Sequence, residues 1–206
     1  TQNRMTVTRL VLPNGTQGTP ADANPAFAKL VETGVLASSP QPSDPMDRAL
    51  HALRADTGSG KQLLRTYGLR PDLLATTNVW RGNECTAAAK GAPETIGMLC
   101  GMSGAELAEL RKCVDTLARD GLRVLGVARA DADPASLPES QRDLAFRFCG
   151  LVGFADPLRP EVKDAVAECR SAGIRVVMIT GDYPATAAAI ATQAGLAPER
   201  ILTGTD

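Results

Sequence analysis

Two short runs in this chain have the residue types and spacing to hold a phosphorylated or flat ligand. In Lys90-Gly91-Ala92-Pro93-Glu94 a lysine is followed by two small residues and by a proline suited to the first position of a helix. Small residues at a strand end let a flat ligand approach, and the ammonium can meet a phosphate or the edge of an adenine ring. Taken alone, the run reads more simply as a solvated lysine ahead of a helix. In Thr180-Gly181-Asp182 a hydroxyl, a glycine and a carboxylate follow the apolar run Ile174 to Ile179 and precede a helix that opens at Pro184. That places them at the carboxyl end of a strand covered on both faces, where open α/β sheets bind ligands. The Thr180 hydroxyl and nearby backbone N–H groups could there hold a phosphoryl group, and the plainer alternative is a capped strand-to-helix turn.

Other chemistries are poorly supplied. Gly58-Ser59-Gly60-Lys61-Gln62 suggests a phosphate loop, but G-x-x-x-x-G-K-[ST] would put its first glycine at Ala55, and Gln62 stands where the metal-binding hydroxyl belongs. It reads as a flexible loop. His51 is the single histidine and has no cysteine or second histidine at ligand spacing, so no metal site is assigned. Cys85, Cys100, Cys113, Cys149 and Cys169 are scattered, odd in number and never in a C-x-x-C pair; they read as reduced, mostly buried thiols of a cytosolic protein. Trp80 reads as a packed strand residue.

The elements that must position these residues divide near Asp156. Before it, Met5 to Leu12 reads as a strand ending at the turn Pro13-Asn14-Gly15, and a helix follows from Pro25 to about Thr33, capped by Asn24 and stopped by Gly34. Ala37 to Ser43, rich in Ser and Pro, reads as an exposed loop, after which Asp44 caps a helix with Asp47 in its first turn. Gly82-Asn83 between Thr76 to Arg81 and Glu84 to Ala89 predicts a two-residue hairpin turn. Ser103-Gly104-Ala105-Glu106 is a capping box opening a helix with Leu107, Leu110, Val114 and Leu117 on its buried face and Gly121 at its end. Leu122 to Arg129 and Ala145 to Phe154 complete an expected α+β domain with an antiparallel sheet flanked by helices. After Asp156 the rhythm changes to helix Pro160 to Ala172, strand Ile174 to Ile179, helix Pro184 to Ala194: a partial α/β, Rossmann-like segment with too few strands for a sheet of its own.

Composition narrows the class. The 206 residues carry 22 Lys+Arg against 23 Asp+Glu, so no basic footprint for nucleic acid exists. Apolar residues at 44% and aromatic residues at 3% imply a largely aliphatic core. No apolar run approaches the roughly 18 to 20 residues of a membrane span, and Thr1-Gln2-Asn3-Arg4 is not a signal peptide.

Lys90-Gly91-Ala92-Pro93-Glu94, Asp156-Pro157-Leu158-Arg159-Pro160-Glu161-Val162 and Met178-Ile179-Thr180-Gly181-Asp182 together resemble the nucleotide-binding and phosphorylation domains of P-type (E1-E2) cation-transporting ATPases, in the calcium-pump-like branch, across nearly the entire chain. The resemblance implies a link over residues 1–12, a nucleotide-binding domain over 13–154 and a partial phosphorylation domain of haloacid dehalogenase type over 155–206. It implies that Thr180 contacts the transferred phosphoryl group, with Gly181 and Asp182 near the nucleotide. Arg123 would meet the ATP phosphates, Asp156 and Arg159 would lie in a nucleotide-facing hinge, and Asp47 would approach the adenine amino group. The family's adenine-stacking phenylalanine is missing, and Tyr67 is the expected substitute, although more residues separate it from Val79 than the family pattern has. ATP and Mg²⁺ are the implied cofactors. The nucleophilic aspartate would precede Thr1 and most Mg²⁺ ligands would follow Asp206, so this piece is expected to bind ATP or ADP without turning ATP over. The implied partners are the remaining phosphorylation, actuator and membrane domains of an integral membrane pump, at whose cytoplasmic face this piece would sit, with Ca²⁺ the first guess for the ion. An incomplete sheet would also leave an open strand edge, predicting self-association or local disorder after about Asp156. Two alternatives remain: a non-catalytic nucleotide sensor, and a free-standing haloacid dehalogenase phosphatase, whose second motif Thr180-Gly181-Asp182 resembles and against which the absence of any D-x-D motif at the end of an apolar strand argues.

Overall fold

The computed structural model describes residues 1–2, 4–22, 24–54, 60–196 and 201–203. In chain order the elements are β1 (Thr6–Val11), β2 (Gln17–Gly18), α1 (Pro25–Leu36), α2 (Pro45–Leu53), β3 (Gln62–Tyr67), β4 (Ala75–Arg81), β5 (Cys85–Gly91), α3 (Pro93–Leu99), α4 (Gly104–Arg119), β6 (Arg123–Asp131), a 3₁₀ turn (Gln141–Asp143), β7 (Arg147–Ala155), α5 (Val162–Ser171) and α6 (Pro184–Gln193). The strands form one antiparallel sheet in the order β2-β1-β7-β6-β5-β4-β3. Helices α1 and α2 cover one face, where Leu30, Val31 and Leu50 pack on Leu10, Val127, Val152 and Phe154. On the other face Ile96 of α3 packs on Ala75, Ala87, Ala89 and Ala128, and α4 closes the neighbouring part with Leu110, Val114 and Leu117. The alanines of β5 let both helical layers come close, which is how a chain poor in aromatics fills its core.

Helix starts follow the local chemistry. Asn24 Oδ1 accepts from Ala26 N (2.9 Å), Asp44 Oδ1 from Met46 N (2.8 Å), and Ser103 with Glu106 forms the full capping box. Gly34, however, does not end α1. A Cβ there would lie 3.1 Å from Leu50 Cδ2, so this glycine serves the close crossing of α1 and α2, and the helix continues to Leu36. Ala37 and Ser38, expected in an exposed loop, are 2% and 0% exposed. The β4–β5 hairpin is closed by the Arg81–Cys85 pair around three residues, Gly82-Asn83-Glu84, instead of two. The Gly58-Ser59-Gly60-Lys61 run lies partly outside the described residues; Gln62 after it opens β3 and not a helix.

The largest departure is at Ile174 to Ile179. No strand forms there among the described residues, and Val177 and Ile179 are 68% and 94% exposed. A strand needs a neighbour to satisfy its backbone, and the described residues offer this run none. The expected Rossmann-like segment is therefore represented by α5, α6 and a connection without regular secondary structure. α6 leans on α4, with Thr186 Oγ1 donating to Leu122 O (2.9 Å) and Tyr183 OH donating to Asp115 Oδ1 (2.8 Å).

Candidate nucleotide site

Lys90 stands near the end of β5, level with Thr76 on β4 and Val127 on β6, and faces α1 and α2. Its ammonium forms an ion pair with Asp47, the N3 residue of α2, and donates to Ser38 Oγ at 3.0 Å. The two charged side chains are only 11% and 10% exposed. Asp47 also accepts from Ser39 N at 3.0 Å. Burial pulls the Lys90 ammonium down to about 8, with the Asp44 charge pushing the other way. The Asp47 carboxylate in direct contact acts in the same sense as Asp44, so the ammonium is the form held at neutral pH. Asp47 and Lys90 thus come together as one largely buried ammonium–carboxylate pair between β5 and the first turn of α2.

Gly91 follows, and its lack of a side chain is a packing requirement. A Cβ there would lie 2.2 Å from Leu74 O and 2.6 Å from Ala75 Cα, so only glycine lets β5 stay paired to β4 beside Lys90. Pro93 then opens α3, as the sequence predicts.

Tyr67 does not join this site. It pairs with Thr77, and Thr77 with Ala89, so the ring stands on the α3 face of the sheet, whereas Lys90, one residue on, stands on the opposite face. It is 8% exposed, packs with Ala75, Val79 and Ile96, and donates from OH to Pro138 O at 2.5 Å. The Arg65 guanidinium lies 4.8 Å from its ring centre. A small cleft of about 210 Å³ opens beside it, lined by Arg70, Asp72 and Arg142, away from Lys90.

Arg123 opens β6 and shares the face of Lys90 through Val127 and Leu125. Four residues separate Arg123 from the level of Lys90, roughly 13 Å at about 3.3 Å per residue. Arg123 Nε is 2.8 Å from Asp182 Oδ1, and Nη2 donates to Asp182 Oδ2 at 3.1 Å, the better aligned of the two contacts. Asp182 N in turn donates to Thr180 Oγ1 at 3.0 Å. Arg123, Thr180 and Asp182 line one cavity of about 340 Å³, together with Thr1, Leu158 and Met178. Thr180 and Gly181 are exposed. Asp156 follows β7 directly, and its Oδ1 is buried with no hydrogen-bond partner. One residue on, Pro157 O accepts from Gln2 N at 2.9 Å. Arg159 is exposed, and its side chain makes no hydrogen bond or ion pair among the described residues, so nothing joins it to this cluster.

Sequence reasoning missed the polar residues behind Lys90. Asn78 is 4% exposed and donates to Leu36 O (3.1 Å) and Ser38 O (2.8 Å), and Trp80 Nε1 donates to Leu36 O (2.7 Å). The signal was available, because Thr76-Thr77-Asn78 is a polar run inside a strand with apolar neighbours. The extension of β6 to Asp131 also corrects the strand assignment used against the phosphatase alternative: Asp131-Ala132-Asp133 is a D-x-D run closing an apolar strand. It lies at the far end of β6 from Arg123, eight residues or roughly 26 Å away. Asp131 is occupied by Arg147 at 2.7 Å, and Asp133 Oδ1 accepts from Ala135 N. It does not meet Thr180-Gly181-Asp182.

No group of three His, Cys, Asp or Glu side chains among the described residues is placed to hold a metal ion. His51 instead bonds Ser39 O through Nε2 at 3.0 Å. The five cysteines are free and half-buried, and burial pushes the Cys100 thiol up to about 12. Among the described residues no helix is long and apolar enough to cross a membrane.

Comparison with known proteins gives this geometry a context. Residues 111–205 match the family model described as haloacid dehalogenase-like hydrolase. A sodium/potassium exporting P-type ATPase of Schizosaccharomyces pombe is 36% identical over 75% of this chain and 17% of its own length. A cation-transporting ATPase of Synechocystis is 33% identical over 76% of the chain and 19% of its own length. A calcium-transporting ATPase of Bacillus cereus is 38% identical over 51% and 12%. The chain thus spans less than a fifth of the length of these relatives. Over about three quarters of its residues, what it is similar to is the P-type cation-transporting ATPases.

Proposed function

We propose that the chain is the cytoplasmic ATP-binding piece of an ATP-driven cation transporter, with residues 13–154 as nucleotide-binding domain, 155–206 as part of the phosphorylation domain and 1–12 leading in between them. The observation that carries this reading is the line Lys90, Val127, Leu125, Arg123 along one sheet face, ending at the pair Arg123–Asp182. A buried ammonium–carboxylate pair suits the edge of an adenine ring. A planar guanidinium one nucleotide length away suits phosphate oxygens. The Thr180 hydroxyl, held beside Asp182, is then within the same cavity as the guanidinium and can orient the terminal phosphoryl group.

ATP would supply the phosphoryl group that an aspartate of the parent pump accepts, and no Asp-Lys-Thr-Gly-Thr run occurs in this sequence. The described residues do not furnish a Mg²⁺ site of their own, so Mg²⁺ would arrive with the nucleotide or be held by other parts of the pump. The parent would be an integral membrane protein of the calcium-pump-like branch, and this piece would bind ATP and ADP at its cytoplasmic face. Calorimetric titration with ATP, ADP and AMP, with and without Mg²⁺, tests the reading: binding that Lys90→Ala weakens at least tenfold supports it. Absence of binding by a folded chain refutes the site, and phosphoenzyme formation by the isolated chain refutes its assigned catalytic incompetence.

A further inference from the structure

We infer that Asn78 is a positioning residue for the Lys90–Asp47 pair: it fixes the end of α1 so that Ser38 and Ser39 reach the two charged groups. The inference deepens the nucleotide-site reading of Lys90 and rests on it for its link to affinity. Asn78 sits in the middle of β4, where a buried amide is costly unless its bonding capacity is used. It is used: Nδ2 donates to Leu36 O and Ser38 O, and Oδ1 accepts from Thr66 Oγ1 at 2.9 Å. Leu36 O belongs to the last turn of α1, whose carbonyls have no partner within the helix. The helix end is therefore closed by a strand side chain.

The consequence reaches the charged pair through two atoms. With Ser38 O held by Asn78, Ser38 Oγ donates to Gly34 O (2.8 Å) and is left facing Lys90, from which it accepts. The next residue presents its N–H to Asp47 Oδ2. Both bonds favour the charged forms, the first of the ammonium and the second of the carboxylate that pairs with it. The groups facing Lys90 are Asp47 and Asp44 from α2, Ser38 from the end of α1, Thr76 from β4 and Val127 from β6. Two further groups are occupied elsewhere: His51 bonds Ser39 O, and Arg129, two residues beyond Val127, bonds Glu84 and Thr86. Asn78 carries no charge and, among the described residues, makes no hydrogen bond to either member of the pair. Its influence on Lys90 runs through the backbone it holds.

The test is the titration of Lys90 in the whole chain, followed by carbon-13 NMR of its Cε and assigned by its loss in Lys90→Arg, alongside ADP affinity by calorimetry. Asn78→Leu, which keeps the bulk and removes all three hydrogen bonds, is expected to lower the Lys90 midpoint by about one pH unit and to weaken ADP about tenfold. Ser38→Ala, which leaves Asn78 and its bonds in place, is expected to lower the midpoint in the same direction by a smaller amount. Trp80→Phe, which removes the other side-chain bond to Leu36 O, is the comparison: it loses stability and leaves the Lys90 midpoint where it was. An unchanged midpoint in Asn78→Leu overturns the inference, and should Asn78→Leu fail to fold, Asn78→Ser, too short to reach Leu36 O and Ser38 O, takes its place with the same expected and overturning results. Should the wild-type chain bind no ADP, the nucleotide reading falls while the Lys90 titration still decides the positioning role.

Discussion

Replacing Asp47 by Asn removes the carboxylate from Lys90 and leaves a neutral amide at the same position of α2. Both side chains are about a tenth exposed, so the pair lies nearer the buried than the surface limit. Removal of one partner from a buried pair costs about 3–5 kcal/mol, because the other charge is left uncompensated. Lys90 has an escape, since burial already draws it from 10.5 to about 8, which disfavours the ammonium by roughly 3 kcal/mol relative to a free lysine while leaving it the main form at pH 7. Without Asp47 it falls further and sheds its proton, and since losing a proton bound at about 8 costs about 1.4 kcal/mol at pH 7, the loss is capped near that value. The urea midpoint should then drop by about 1 M. The sign of the pH dependence follows from a lysine whose folded pKa lies below its unfolded one. Between the two values the unfolded chain binds more protons, so stability rises with pH, and in the variant this window opens lower than in the wild type. The deficit of Asp47→Asn should therefore shrink from pH 7 to pH 9.5, where Lys90 is neutral in both folded proteins. Parallel urea unfolding at the two pH values reads this difference, other titrating groups being common to both chains. A deficit equal at pH 7 and pH 9.5, or absent at pH 7, would refute the assignment of Lys90 and Asp47 as a charged pair.

Tyr67→Phe should lose about 1 kcal/mol with the bond to Pro138 O and leave ADP affinity within twofold; a tenfold loss would put the ring in the nucleotide pocket after all. Gly91→Ala would set a Cβ 2.2 Å from Leu74 O, so the strand ends must part; about 2–3 kcal/mol and a fall in Tm of roughly 5–10 °C by calorimetry are expected, and a variant as stable as wild type contradicts the close approach. Arg123→Ala should weaken ATP and ADP about tenfold or more and AMP much less, since the lost guanidinium faces the outer phosphates in the proposed pose; equal losses for all three would remove it from that place. Ile174, Val177 and Ile179 expose apolar area, so the chain should associate as its concentration rises in light scattering, and Ile179→Lys should reduce this at almost no cost in stability; a monomer at every concentration would refute it.

The features legible in the sequence are those decided within a few residues. Asn24, Asp44 and Ser103 cap their helices through bonds two or three residues away, and Lys90-Gly91-Ala92-Pro93 announces a strand end and a helix start. The antiparallel character of the first 155 residues was likewise carried by hairpin and helix signals near one another. Which residues meet was not local. Tyr67 and Lys90 sit on opposite faces because the register of β3, β4 and β5 sets the parity of every side chain, and one step of register exchanges the faces. Ser38 and Asn78 are 40 residues apart, and Lys90 and Ser38 52, so their contacts exist only once α1 lies across β4 and β5. Asp131-Ala132-Asp133 and Thr180-Gly181-Asp182 could be neighbours on paper, yet β6 holds the first at the end away from Arg123. At Ile174 to Ile179 the composition specifies a strand, but a strand is a property of at least two backbones, and tertiary structure decides whether the second is there.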